Sequence, residues 1–323
     1  MLYTGCSSAK KDSSSDTNSK QKAADEVSMK PTASDEDPAY VYFTADSSGY
    51  SYTYRIKSNG TGLEKLYESK AGPIWISPDN RYVYITDQVT TSKEKDPFCP
   101  KGITIWDIEK KIKTVLPFYD DPTWGSGWYD NDNILYSKSY YASKKSDFLF
   151  KQNIHTGDTS IVFYWDKPTR LNAVYNKKDY SYYYISDDSL YVFKEKSRRY
   201  LSYPVAYHDF QPNKGSVMLT KDDSALFFRN FDEVSGHKNI VTDLKGKTLF
   251  VVDKSIDHGS TLSYMKIDKN GKWIYYNGYI DIGGTAYSFI KRKCLTTGDK
   301  TETIFMTKMD DMSIGYIALG YNR

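Results

Sequence analysis

From Ala39 onward, short runs of aromatic and β-branched residues alternate with clusters of Gly, Asn, Asp, Ser and Pro, and no segment keeps a helical apolar period over several turns. The pattern predicts an all-β chain. Its clearest unit is Pro73-Ile74-Trp75-Ile76-Ser77-Pro78-Asp79-Asn80-Arg81-Tyr82-Val83-Tyr84-Ile85, which reads as a strand, a polar tight turn and a second strand. The template returns around Trp128 to Tyr136, Val174 to Tyr184, Met218 to Phe228 and Lys266 to Tyr276. Aligning Val41, Val83, Ile134, Tyr182, Leu226 and Ile274 gives spacings of 42, 51, 48, 44 and 48 residues. A recurrence of ~40 to 50 residues is the mark of a propeller.

Each unit continues into a third strand, a hairpin turn and a fourth strand. The hairpin turns are Asn59-Gly60-Thr61-Gly62, Glu109-Lys110-Lys111, His155-Thr156-Gly157-Asp158, Lys196-Ser197-Arg198, Lys245-Gly246-Lys247 and Thr297-Gly298-Asp299, and most carry the residues that tight hairpins need. Four strands per repeat make a blade. The first unit lacks an inner strand, because Tyr40-Val41-Tyr42-Phe43 already matches the second strand of the template, and Met312 to Leu319 is left over after the sixth. A six-bladed β-propeller is expected over residues 39–323, closed by the C-terminal strand completing blade one and so covering edges that could otherwise pair with other chains.

The Ser77-Pro78-Asp79-Asn80 turn and the Asn59-Gly60-Thr61-Gly62-Leu63 hairpin resemble the repeats of TolB-like six-bladed propellers, over roughly the whole of 39–323. That resemblance implies a fold more than a function, since such propellers serve as partner-binding modules, as accessory domains of peptidases and, in a few families, as polysaccharide lyases. The third and fourth units depart from it with Asp130-Asn131-Asp132-Asn133 and Asn176-Lys177-Lys178-Asp179.

Residues 1–38 have a different character. They are rich in Ser, Lys and Asp with almost no aromatic or β-branched residues, which predicts a disordered, solvated tether. Leu2-Tyr3-Thr4-Gly5-Cys6 resembles the end of a bacterial lipoprotein signal peptide, with Thr4 and Gly5 at the small positions and Tyr3 where Leu is usual. The resemblance implies diacylation of Cys6 and a lipid-anchored protein on the extracellular face of a bacterial membrane. Two acyl chains give stable anchoring where one gives marginal binding. No stretch is long and apolar enough for a transmembrane helix. A Cys99–Cys294 bridge is not expected, because the two fall on blades that are not neighbours.

Composition changes the picture in two ways. Hydrophobic residues make up only 39% while 31 Tyr lift the aromatic share to 16%, so tyrosine stands in for aliphatic core. A net charge of +3 speaks against a dedicated nucleic-acid binder. A monomer is expected.

If the polar turns and hairpins lie at one end of the propeller, the loops entering the inner strands gather at the other, where a rigid scaffold usually carries its site. The ligand-contact candidates there are Trp124, Trp128, Arg170, His208, His258 and Asp310. An aromatic face offers stacking area to a sugar or peptide, although inner-strand aromatics such as Trp75 and Trp128 also suit a core. His208 and His258 could act as bases or metal ligands beside Asp209 and Asp257, but neighbours on a strand point to opposite faces. The chain has no G-x-S-x-G elbow, no H-E-x-x-H and no P-loop. Asp130 to Asn133 lacks the Gly and Glu of an EF-hand. No catalytic residue, metal or cofactor is expected, and the leading reading is a non-enzymatic surface propeller binding a protein or an envelope glycan. The alternatives are a glycan lyase resembling oligogalacturonide-cleaving propellers and a purely structural module.

Overall fold

The computed structural model describes residues 38–68, 72–88, 100–116, 123–139, 147–165, 173–186, 189–204, 216–219, 225–232, 236–252, 260–268, 271–295 and 300–321. Cys6, Arg170, His208 and His258 fall outside them. No helix among the described residues is long and apolar enough to cross a membrane.

Six four-stranded antiparallel sheets account for these residues. The first joins β1 (Tyr40–Ser47), β2 (Tyr50–Lys57) and β3 (Glu64–Glu68) to β24 (Ser313–Gly320), in the order β24-β1-β2-β3. The second runs through β4 (Ile74–Ile76), β5 (Tyr82–Gln88), β6 (Pro100–Asp107) and β7 (Ile112–Leu116), and the third through β8 (Thr123–Trp128), β9 (Asn133–Ser139), β10 (Asp147–Asn153) and β11 (Thr159–Trp165). The fourth holds β12 (Val174–Asn176), β13 (Ser181–Ser186), β14 (Ser189–Lys194) and β15 (Arg199–Pro204). The fifth holds β16 (Ser216–Leu219), β17 (Ala225–Asp232), β18 (Gly236–Asp243) and β19 (Thr248–Val252), and the sixth β20 (Ser260–Ile267), β21 (Trp273–Ile282), β22 (Thr285–Cys294) and β23 (Thr301–Lys308).

Each sheet is covered on both faces, which explains why its second strand is a near-continuous apolar run. In β13, Tyr182, Tyr183 and Tyr184 are 0%, 2% and 0% exposed. Tyr182 and Tyr184 pack with Leu135 and Leu149 of the third sheet, whereas Tyr183 packs with Leu226 of the fifth. A ring buried in this way contributes about 1.5 to 3 kcal/mol, provided its hydroxyl finds a partner. Tyr183 donates to Asp179 Oδ2 at 2.8 Å and Tyr84 to the Leu135 carbonyl at 3.3 Å. The same two-sided burial recurs between sheets one and two around Tyr42 and Val83, two and three around Tyr84 and Ile134, and five and six around Ala225 and Tyr276. Sheets six and one share a cluster that includes Val41, Phe43, Tyr275 and Ile290.

The leftover C-terminal strand pairs where the repeat pattern expects it. β24 lies antiparallel to β1, with Val41 opposite Leu319 and Phe43 opposite Ile317, and the register shifts between Phe43 and Ala45. At that bulge the Tyr316 amide donates to Thr44 Oγ1 at 3.0 Å. Gly315 belongs there because a Cβ would stand 2.8 Å from the same oxygen. Asn277, fully buried on β21, donates to the carbonyls of Ile314 at 3.1 Å and Gly315 at 2.7 Å, so the sixth sheet also grips β24. On β22 of the same sheet Arg292, 1% exposed, reaches Glu302 at 2.7 Å and the Tyr275 hydroxyl at 3.1 Å. Cys294 is buried in that cluster, and Cys99 lies outside the described residues.

Candidate functional site

The sheets present two different ends. At one, which we call the turn end, lie the β4–β5 turn and the β6–β7 hairpin, tied together by Arg81 and Asp107 at 3.1 Å. The β8–β9 turn joins it through Asp132 and His155, 3.1 Å apart, with the His155 ring edge-on to Tyr82 at 5.9 Å. His155 therefore ties the turns of two sheets together. Asp130 Oδ1 accepts the amides of Asp132 at 2.8 Å and Asn133 at 2.7 Å, and Asn133 Nδ2 at 2.9 Å. Its lone pairs serve the turn. Among the described residues, no three His, Cys, Asp or Glu side chains stand together so as to hold a metal ion.

The opposite, loop end is where ligand contacts are expected. Its described part is an arc built by the first and sixth sheets, from the β1–β2 turn at Ser48 and Gly49, the β21–β22 turn at Gly283 and Gly284, and the turn between β23 and β24 that carries Asp310. Ser48, Gly49, Gly283 and Gly284 all have positive φ, of 53°, 81°, 63° and 81°, the left-handed conformation that two-residue hairpins need. Ser47 Oγ donates to the Asp311 carbonyl at 2.8 Å, and the Met309 amide to the Ala286 carbonyl at 3.0 Å. The Ile314 amide donates to Ser288 Oγ at 3.0 Å. The turn bearing Asp310 is thus fixed by both neighbouring hairpins while Asp310 itself is exposed. Asp46, Asp281 and Asp311 stand on the same turns, with Asp46 accepting a hydrogen bond from Ser51 and Asp281 Oδ1 receiving the Gly284 amide at 2.9 Å. This arc is an acidic, backbone-pinned rim.

The remaining candidates divide. Trp124 sits near the start of β8, opposite Ser137, and so at the loop end. Trp128 lies at the other end of β8, opposite Ile134. The segment 123–128 is strand rather than loop, and at ~3.3 Å rise per residue four positions carry Trp128 to the far end. There it is half-buried, its ring 6.1 Å from Tyr82 and 6.2 Å from Tyr84. It packs where two sheets meet. Arg170, His208 and His258 belong to segments outside the described residues.

Sequence reasoning passed over one cluster at the turn end. Tyr129 and Tyr175 stack with centroids 4.2 Å apart and hydroxyls 3.2 Å apart, and Tyr175 also donates to Glu195 Oε2 at 3.3 Å. Burial first, then its bonds to Tyr129 and Glu195, push the Tyr175 phenol far above its ordinary range, and burial does the same to Tyr182. Phenols so shifted stay neutral and hold sheets three and four together. The signal was the pair of Tyr at corresponding positions of two repeats.

No family model matches the sequence, and no curated protein does. Solved structures similar to it include oligogalacturonate lyase in complex with manganese, at 13% identity and a TM-score of 0.49, covering 78% of this chain and 70% of that one. A 6-phosphogluconolactonase-like protein of Bacteroides fragilis shows 12% identity and a TM-score of 0.49 over 88% of this chain and 99% of its own. The WD40 domain of Toxoplasma gondii coronin shows 11% and 0.45 over 86% and 72%. Nothing about function passes to this chain from likenesses so distant. What stands, on the sheets themselves, is an all-β repeat of four-stranded antiparallel sheets.

Proposed function

We propose that the six sheets are the blades of one closed TolB-like propeller, that Cys6 carries a lipid anchor holding it on the outer face of a bacterial membrane, and that it binds a protein or an envelope glycan through the loop end without catalysis. The observation that carries the reading is the pairing of β24 with β1. It ties the last turn, with Asp310, to the β1–β2 turn and so makes the loop end a rigid platform. A ligand meeting a pinned backbone loses little to ordering the protein. Trp124 at the start of β8 supplies the aromatic face, and Arg170, His208 and His258 complete the candidate contacts.

The test is a pulldown from native envelope with the anchored chain, beside retention on cell-wall fragments. Specific capture that falls about tenfold with Trp124→Ala, at unchanged thermal stability, is the expected result; a stacked ring is worth about 0.5 to 1.5 kcal/mol beyond its buried area. Retention of nothing, together with turnover of an oligogalacturonide or another substrate, would sink it.

A further inference from the structure

The turn end of the fourth sheet concentrates positive charge that the function proposed above does not use. Lys177 and Lys178 in the β12–β13 turn, and Lys196, Arg198 and Arg199 around the β14–β15 hairpin, are all exposed. The two acids among them are turned to other work, Asp179 Oδ2 taking Lys194 Nζ at 2.5 Å and the Tyr183 hydroxyl at 2.8 Å, and Glu195 taking Tyr175. Two of the cations are held in place. Lys196 Nζ lies 3.3 Å from the centroid of the Tyr180 ring, and Arg198 donates to the Val162 carbonyl at 3.3 Å above Phe193. Tyr180 itself has φ 53° and is 42% exposed. A bulky residue in the left-handed region costs about 1 to 2 kcal/mol, and strain of this kind collects at working surfaces.

The position of this corner in the fold suggests its partner. The described chain starts at Pro38, and Ala39 accepts the Ser58 amide at 3.4 Å beside the β2–β3 hairpin, at the turn end of sheet one. Contacts carry that end on to sheet four: Gly320 closes on Asn80, Tyr82 on His155, and Tyr129 on Tyr175. Pro38 thus stands at the same end as the cations. The acids Asp46, Asp281, Asp310 and Asp311 stand on the loop end.

We propose that the turn-end corner of sheet four is a membrane-facing surface that takes the headgroups of anionic phospholipids, and so aims the loop end away from the bilayer. The inference rests on the lipid-anchor reading for its orientation, not for the corner's chemistry. An exposed Tyr among cations suits the interface, where aromatic rings sit at headgroup level. A soluble polyanion would need the charge alone. The anchor raises the local concentration of lipid at the corner, and a second, electrostatic signal adds to the acyl one.

The test uses the full chain with Cys6→Ala, so that no acyl chain contributes, and vesicles of phosphatidylcholine with or without phosphatidylglycerol. Binding is expected only with phosphatidylglycerol, weakening as salt rises. At about fivefold per cation near an anionic surface, the triple variant Lys177→Gln, Lys196→Gln, Arg199→Gln should lose roughly a hundredfold while its circular dichroism is unchanged. Equal binding to both vesicles, no binding, an unaltered triple variant, or the same charge-dependent binding to soluble polyphosphate but not to vesicles would each overturn the proposal. Mass spectrometry of the native chain separates the two readings: an unmodified Cys6 overturns the anchor and the orientation, whereas vesicle binding by the Cys6→Ala chain stands or falls without it.

Discussion

The second and fourth sheets build the same strand–turn–strand unit by different chemistry. In the second, the turn closes on itself. Ser77 Oγ donates to Asp79 Oδ1 at 2.6 Å, the Arg81 amide to the same oxygen at 3.1 Å, and the Tyr82 amide to Ser77 Oγ at 2.8 Å. Its left-handed residue is Asn80, at φ 57°, a type that tolerates that region. In the fourth, Asn176 Oδ1 takes the Lys178 amide at 2.9 Å, the acid Asp179 turns to Lys194, and the left-handed residue is Tyr180. One turn is optimised for closure. The other accepts strain and leaves cations outward, which is why the fourth carries the surface proposal and the second does not.

Three substitutions would sharpen or break this contrast. Asp79→Ala should have the largest effect, a loss of about 1 to 3 kcal/mol in denaturant unfolding, because the Ser77 hydroxyl and the Arg81 amide lose an acceptor in a part-buried turn. A loss below that range would mean the turn is held mainly by its flanking strands. Tyr180→Gly comes next: thermal unfolding should show a gain of about 1 kcal/mol as strain is released, while vesicle binding weakens because Lys196 loses its ring. Asn80→Gly should change stability by only a few tenths of a kcal/mol, and equal gains at the two positions would dissolve the comparison.

The last test concerns acid. Burial opposes ionisation of Asp107, but the Lys110 amide, the Arg81 guanidinium and the Glu109 amide outweigh it and hold the carboxyl below its ordinary range. A carboxyl depressed in the folded state contributes stability that is present above its unfolded pKa and lost as pH falls through the lower, folded one. Arg81→Gln should therefore move the midpoint of acid unfolding to higher pH, as read by a pH series of fluorescence unfolding curves. An unmoved midpoint would assign the depression to the two amides alone.

Much of the architecture was legible because burial on both faces writes itself into sequence as runs such as Tyr182-Tyr183-Tyr184, and because Met312 to Leu319 had no unit of its own. The two turns of the fourth sheet were harder, since a left-handed Tyr180 or Arg198 (φ 54°) leaves no Gly to read. Trp128 was hard to place for another reason: Gly125, Ser126 and Gly127 have loop composition, yet they form the middle of β8, where Gly127 lies against Trp75, with 3.2 Å from a built Cβ to that ring. Which of two ends a residue occupies depends on where a strand begins, and Gly-rich stretches hide that. Arg170, His208, His258 and Asp310 were read from the sequence as loop positions, and loop positions carry no periodicity from which a place could be inferred.

The bond between Thr44 and Tyr316 spans 272 residues of chain. At the ~5 to 20 residues per second of protein synthesis, the ribosome needs roughly 15 to 50 seconds to travel from one to the other. For all that time the nascent first strand lacks the partner that later covers its flank, which is the kind of edge that pairs with other chains.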